Sequence, residues 1–324
     1  MAGAMAGTAI LDAQLTESLQ TVTLTINNDC NLSCPHCYLQ YESERSVIND
    51  DLISFVCNHD FKHLAIVGKE PLYNSASLAV CEKIAKLAAT NCKTVSLITN
   101  GLNLSLINPS LLKSLSYIDL SLDGGPRSYS KYRQGSLSKI LSGLEHLRRN
   151  GFTDVNALHV LSTATVSNVD DMMRVNEFFD FRRVMFSPYV PTSNFGTNAV
   201  NAVDIEELLF RLSESELFMT EPKAVLLVGT ENVPLGSGNV GDVRELAEMY
   251  GMLAKIHYVA EDPLLYGIIR MTFDGYVLTP YQSLHTVDYR DVGYDLSNVD
   301  LCSVSLDGIY QNMRMGHDHI PLCN

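Results

Sequence analysis

Six strand-like runs alternate with helix-like runs between Thr21 and Pro188. The strand candidates are Thr21–Ile26, His63–Val67, Thr94–Thr99, Tyr117–Leu122, Asn156–Thr165 and Arg183–Pro188. The first alternates polar and apolar residues, as a half-buried strand does, and the second is a short apolar run. The helix candidates are Asp50–Asn58, Ser75–Ala89, Pro109–Leu115, Leu137–Arg149 and Val169–Asp180. Leu78, Cys81, Ile84, Ala85 and Ala88 recur at helical spacing along one face, Pro109 suits a helix start, and Asn150-Gly151 suits a helix end. Alternation of this kind predicts a parallel sheet with helices outside it. Barrel enzymes of this class carry their chemistry at the C-terminal ends of the strands.

The first such end is Cys30-Asn31-Leu32-Ser33-Cys34-Pro35-His36-Cys37, with cysteines at C-x3-C-x2-C spacing. A structural zinc site needs four ligands, usually in C-x2-C pairs, and no second pair follows. His36 as a fourth ligand would be crowded by Pro35 and Cys37. A disulfide framework fits poorly in a long chain without a signal peptide. Three thiolates converging on one point suit a [4Fe–4S] cube, whose fourth iron is then left open to another ligand.

The 324 residues are 46% hydrophobic and 19% charged, a globular composition with material for a large core. The net charge of -14 argues against a nucleic-acid-binding face. No apolar stretch is long enough to span a membrane, so no membrane partner is expected. Met1–Gly7 lacks a basic n-region and reads as a disordered lead rather than a secretory signal. Eight cysteines without a targeting segment imply a reducing, cytoplasmic setting. Cys57, Cys81 and Cys92 lie in or beside apolar runs and read as buried small hydrophobes.

The C-x3-C-x2-C motif and several strand-end motifs resemble the radical S-adenosylmethionine (radical SAM) superfamily. The resemblance implies a partial (β/α)6 TIM-like barrel, with Cys30, Cys34 and Cys37 as cluster ligands. It implies that S-adenosyl-L-methionine (SAM) binds the open iron and is cleaved to a 5′-deoxyadenosyl radical that takes a hydrogen atom from a substrate. Gly68-Lys69-Glu70-Pro71 resembles the Gly-Gly-Glu-Pro motif that receives the SAM amino group, with Lys69 departing from the second glycine. A carboxylate such as Glu70 and bare carbonyls are apt partners for an ammonium. Thr99-Asn100-Gly101 matches a common tripeptide of the family. Ser121-Leu122-Asp123-Gly124 and Tyr132-Arg133-Gln134-Gly135-Ser136 resemble the peptide-modifying branch with a SPASM or twitch extension. There Ser121 would contact SAM and Arg133 would pair with the SAM carboxylate, which a guanidinium fork matches well. Taken alone, Arg133 would read as half of a surface ion pair. His36 would stack on adenine, and Tyr38 would pack on the loop. Asn168 and Phe186-Ser187-Pro188 also resemble this branch, the latter near where adenine is often held.

After a loop over Thr192–Val203, Asp204–Glu216 and Asp242–Leu253 read as helices around Gly-rich Leu235–Gly241. Ile268–Leu278 reads as a hairpin turning at Asp274-Gly275, and Ser297–Arg314 as helical. The hairpin resembles the start of a SPASM/twitch extension, but Tyr281 stands where the first auxiliary-cluster cysteine belongs. Cys302 and Cys323 alone fall short of a four-thiolate site. His285, His317 and His319 could supplement them, or form part of a solvated polar tail. The expected organisation is therefore a lead over 1–20, a barrel over 21–203, and a small α+β extension over 204–324, capping the barrel without an auxiliary cluster.

Two functions follow. One is an enzyme acting on a peptide, amino acid or small metabolite in a biosynthetic pathway, with a flavodoxin- or ferredoxin-type electron donor. Without an auxiliary cluster, redox-neutral outcomes such as epimerisation, rearrangement, elimination or addition are favoured over net oxidation. Tyr281, Cys302 and Cys323 are the candidate hydrogen donors for epimerisation. The other is a non-enzymatic metal-binding or regulatory protein on the same scaffold. The intact cysteine trio, Glu70 and Arg133 argue for the first.

Overall fold

A computed structural model describes residues 7–37, 47–190, 201–229, 240–259, 262–280, 282 and 288–317. Its eleven strands form one sheet in the order β11-β10-β9-β1-β2-β3-β4-β5-β6-β7-β8. The strands are β1 Thr21–Thr25, β2 His63–Val67, β3 Thr94–Thr99, β4 Tyr117–Ser121, β5 Val155–Leu161, β6 Arg183–Pro188, β7 Ala224–Gly229, β8 Ile256–Val259, β9 Ile268–Met271, β10 Tyr276–Leu278 and β11 Tyr294–Asp295. Strands β1 to β8 are parallel throughout, and β9 joins β1 in parallel. β10 and β11 run antiparallel. The sheet stays open, with β8 and β11 as its edges. It is the expected parallel α/β sheet, an unclosed barrel.

The helices are α1 Asp50–Asn58, α2 Ser75–Thr90, α3 Pro109–Ser114, α4 Tyr129–Arg133, α5 Leu137–Arg149, α6 Val169–Phe178, α7 Ile205–Ser213, α8 Glu216–Thr220, α9 Val240–Met249 and α10 Leu306–His317. Asn49, Asn74 and Asn108 cap α1, α2 and α3, each side chain accepting a backbone N–H of the first turn. Successive strand residues face opposite sides. Leu24, Leu64, Ile66, Leu97 and Leu120 therefore pack with the helices in the main core. Each such side chain contributes roughly 2 kcal/mol on burial. Ala65, Val67, Ile98, Leu158 and Met185 form a separate core on the opposite, concave face.

The N-terminal segment enters that second core. Gly7–Asp12 is a 3-10 turn whose Ile10 is buried among the concave-face residues. Thr8 donates to the buried Asp119 carboxylate through both N (3.1 Å) and Oγ1 (2.9 Å), and Asn156 donates to Thr8 Oγ1 at 2.8 Å. From residue 7 on, the expected lead is thus a strap across the N-terminal ends of the strands.

Five further expectations are corrected. β5 ends at Leu161 because Ser162 and Thr165 bond each other in a local turn. The strand series continues past β6, with β7 and β8 extending the parallel sheet. Residues 204–216 break into two helices, because Ser215 caps a new one by accepting from Phe218 N. Residues 297–305 are turns, and the final helix begins at Leu306. Cys57 and Cys81 are fully buried as expected, but Cys92 is exposed. It lies past the end of α2 at a left-handed φ of 59°, where the chain turns toward β3.

Candidate cluster and SAM site

The cysteine loop leaves β1 and returns at an isolated bridge between Asn27 and Val47, with Ile48 N donating to Ile26 O at 2.8 Å. Cys34 and Cys37 sit in one tight turn, Cys37 N donating to Cys34 O at 3.1 Å. Around the sulfurs stand donors suited to a thiolate. Leu32 N is 3.3 Å from Cys30 Sγ, Asn100 Nδ2 is 3.7 Å from the same atom, and Arg133 NH1 is 3.9 Å from Cys34 Sγ. Burial raises the Cys30 thiol to about 11, and the other two cysteines add to that rise. Burial also raises Cys34, against the pull of Arg133.

Glu70 follows β2 and is buried. Its carboxylate accepts from Leu72 N (2.9 Å), Thr99 Oγ1 (2.6 Å) and Asn100 N (2.7 Å), which ties the loops after β2 and β3 together. Burial raises its pKa, and those donors hold it back. Asn100 then reaches the cysteine loop, its Nδ2 donating to Asn31 Oδ1 at 2.8 Å. Asn27 was not legible as a site residue, yet it organises this corner. Its Nδ2 donates to Glu70 O (2.9 Å) and Ser77 Oγ (3.1 Å). A Cβ at Gly68 would come within 2.4 Å of Asn27 Oδ1, so glycine is required there. Lys69, the departure from the motif, keeps its backbone N on Asn27 O at 3.1 Å. Pro71 is buried, and its carbonyl accepts from the Cys81 thiol.

The third corner follows β4. Asp123, at φ 47°, is buried and accepts from Val160 N at 2.6 Å. Its other oxygen meets His36 Nε2 at 2.8 Å and Arg133 NH2 at 2.5 Å. Burial works to raise the Asp123 carboxyl, but Arg133, then His36, outweigh it and hold it far below the usual range. Arg133 Nε is buried with no partner, as is the Tyr129 hydroxyl. Gly124 and Gly125 permit the loop to close, since a Cβ on Gly125 would lie 1.6 Å from Asp171 O. Ser121 ends β4 half-buried.

His36, Asn100, Asp123 and Arg133 thus gather around Cys30 and Cys34, with Glu70 behind Asn100. Asn168 lies off this centre, donating to Tyr132 OH at 3.1 Å, and Phe186 stacks on His159 at 4.9 Å. Cys302 is exposed in a groove of about 730 Å³ beside α1 and the β9–β10 turn. Tyr38, Tyr281, His285, His319, Cys323 and the His317 side chain lie outside the described residues.

Three cysteines in one loop, with N–H donors turned toward their sulfurs, suit an iron–sulfur cube. A cube's thiolates bind separate irons and stand farther apart than the ligands of one ion. The orphaned guanidinium Nε beside the trio suits an anionic group such as a carboxylate. A buried protonated thiol must lose its proton on binding iron, so ligation is coupled to deprotonation.

Residues 24–179 match the radical SAM superfamily domain. GTP 3',8-cyclase of Alkaliphilus oremlandii is 22% identical over 283 residues, 83% of this chain and 82% of that protein. The probable GTP 3',8-cyclase of Methanococcus aeolicus is 23% identical over 166 residues, and the chain spans about half of it (54%). In structure the chain resembles SuiB of Streptococcus suis bound to S-adenosylmethionine, with a TM-score of 0.61 at 15% identity, over 95% of this chain and 70% of that one. By its cysteine loop and the family match, the segment over residues 24–179 is a radical SAM domain, of a superfamily whose members use a [4Fe–4S] cluster and SAM.

Proposed function

We propose that Cys30, Cys34 and Cys37 hold a [4Fe–4S] cluster, and that the chain uses SAM at it to modify a peptide, an amino acid or a small metabolite. The cluster and SAM, when bound, supply the one-electron cleavage that starts hydrogen-atom abstraction from a substrate. The observation that carries this reading is the convergence on the cysteine loop of sulfur-directed donors and the Asp123–Arg133 pair.

Each residue then has a task. Leu32 N and Asn100 Nδ2 stabilise charge on the Cys30 sulfur, and Arg133 does so for Cys34. Arg133 turns its remaining donors to the SAM carboxylate while Asp123 fixes its fork. Glu70 fixes Asn100 and presents backbone carbonyls of its loop to the SAM ammonium, with Gly68 and Pro71 setting the loop's path. His36 and Ser121 line the same space. Residues 204–324 extend the sheet at both edges, and we read them as a SPASM/twitch-like cap without an auxiliary cluster. They hold two cysteines, Cys302 and Cys323, fewer than the four thiolates of such a cluster. A redox-neutral reaction fits that cap. Among small metabolites, GTP is the substrate to test first, because several relatives bear the name GTP 3',8-cyclase at 22–28% identity.

Anaerobic reconstitution tests the reading. About four irons per chain, lost in the Cys30/Cys34/Cys37→Ala variant, are expected, with 5′-deoxyadenosine released on reduction with SAM. Iron retained in the variant would place a cluster elsewhere. No iron in either protein would leave a scaffold without this chemistry. GTP that neither speeds 5′-deoxyadenosine release nor is consumed would shift the substrate to a peptide or amino acid.

A further inference from the structure

Helix α4 brings a carbonyl, a guanidinium and a phenol hydroxyl to the cysteine loop. Tyr129 and Arg133 are four residues apart and so lie on one side of the helix. Arg133 O stands 3.7 Å from Cys34 Sγ, and Arg133 NH1 stands 3.9 Å from it. The Tyr129 ring packs in the main core and is only 1% exposed. Its hydroxyl emerges at the loop. A Cβ on Gly135 would meet both that oxygen, at 3.0 Å, and Leu32 Cδ2, at 3.2 Å. Leu32 lies between Cys30 and Cys34 in the chain, and its N–H points at Cys30 Sγ.

The Tyr129 hydroxyl is buried and has no hydrogen-bond partner among the described residues. A buried donor left unmet carries its full desolvation cost, so its position calls for an acceptor. The charged groups that act on it are Arg133, Cys34, Asp123 and Glu70. The Arg133 guanidinium only donates. The Asp123 carboxylate is taken up by Val160 N, His36 and Arg133, and the Glu70 carboxylate by Leu72 N, Thr99 and Asn100. Cys34 is the group left. Its free thiol donates to Arg133 O. Bound to iron, the sulfur has no proton and only accepts. The carbonyl then faces it with the wrong polarity, and the donors at hand are Arg133 NH1 and the Tyr129 hydroxyl.

We propose that the Tyr129 hydroxyl donates to the Cys34 sulfur when the cluster is bound, and that this hydrogen bond raises the cluster's reduction potential. This role presupposes the cluster proposed above, and it falls to a residue outside the motifs that the sequence displays. Hydrogen bonds to the sulfurs are among the levers on an iron–sulfur potential. The reduced cluster carries one more negative charge than the oxidised one. A donor at sulfur therefore stabilises the reduced state more.

The test uses the reconstituted full chain without SAM, so that Arg133 and the open iron contribute equally in both proteins. Wild type and Tyr129→Phe, which keeps the ring and removes only the hydroxyl, are reduced stepwise with titanium(III) citrate and followed by electron paramagnetic resonance. At the wild-type midpoint the reduced-to-oxidised ratio of the variant should be about tenfold lower, a shift of about 59 mV to lower potential for one electron. Without iron, the variant should unfold at the same denaturant concentration as the wild type or a higher one, because the hydroxyl it lacks had no partner there. Full iron content in both proteins with equal midpoint potentials overturns the role of Tyr129 and leaves the cluster standing. An iron-free variant that unfolds earlier also overturns it, since the hydroxyl then serves the fold. No iron in the wild-type protein overturns the cluster and the role of Tyr129 together.

Discussion

The Arg133 guanidinium stands 2.5 Å from the Asp123 carboxylate, with side chains only 13% and 1% exposed. Asp123 follows β4 and Arg133 ends α4, so one ion pair closes the loop that reaches Cys34. Removing one member of a buried pair leaves the other charge uncompensated, at a cost of about 3–5 kcal/mol. Asparagine tolerates the left-handed φ at this position, so Asp123→Asn isolates the charge. The variant should lose about 3 kcal/mol in denaturant unfolding, and the cluster it reconstitutes should be more easily lost. A wild-type unfolding midpoint would mean the pair contributes little to the fold.

The sequence announced the parallel sheet because hydrophobic period and strand length are local. His63–Val67, Thr94–Thr99 and Arg183–Pro188 have the bounds read from the sequence. β7 and β8 were not legible, since they lie among weakly patterned segments and are identified as strands by pairing with β6 and with each other. In the site, the cysteines, Glu70, Asn100, Asp123 and Arg133 were visible as motif residues, but which of them meet was not. Spacing cannot show that Arg133 meets Asp123, or that Gly68 makes room for Asn27. Both contacts are made only once the chain has folded. The strap was missed for the same reason, because Thr8 finds Asp119 and Asn156 only in the folded chain.

Gly125→Ala should be among the most damaging single substitutions in the chain. Its Cβ would fall 1.6 Å from the Asp171 carbonyl oxygen and 2.9 Å from Asp171 Cγ, and neither can retreat without breaking the bonds of Asp171 to Arg127 N and Ser128 Oγ. Gly151→Ala is the control. That site has φ +75° but open space around it, so only the backbone conformation is penalised, by about 1 kcal/mol. Thermal melts of the two variants should differ widely, and similar melts would show that the 123–129 loop relaxes freely.

Thr8→Val should loosen the strap. The hydroxyl donates to Asp119 and accepts from Asn156, and valine leaves both buried groups short of a partner. A loss of about 1–3 kcal/mol is expected. The exposed Asp12–Arg183 pair should matter less, so Asp12→Asn should cost under about 1 kcal/mol. Hydrogen exchange at residues 8–12 gives the local readout. Protection unchanged in Thr8→Val would show that Ile10 alone seats the strap.

Acid stability should turn on two buried histidines. Burial pulls His63 and His159 from 6.5 down to about 4. A folded-state pKa below the unfolded one means the unfolded chain binds more protons, so stability is lost as pH falls from about 6.5 to 4. Each lowering corresponds to roughly 3 kcal/mol. Asp119 acts in the opposite sense. Burial raises it from 3.8 to about 6, so over that window the folded chain binds the proton more readily and acid favours folding, by about 3 kcal/mol. Glu70, which burial also raises, acts with Asp119, and His257, which burial lowers, acts with the two histidines. Replacing His63 and His159 by glutamine should therefore make the protein less sensitive to acid, because the groups that favour folding at low pH are then opposed by His257 alone among these. Unfolding free energies measured across this range in both proteins decide it. Equal acid sensitivity in the two proteins would mean that the histidines titrate as they do in the unfolded chain.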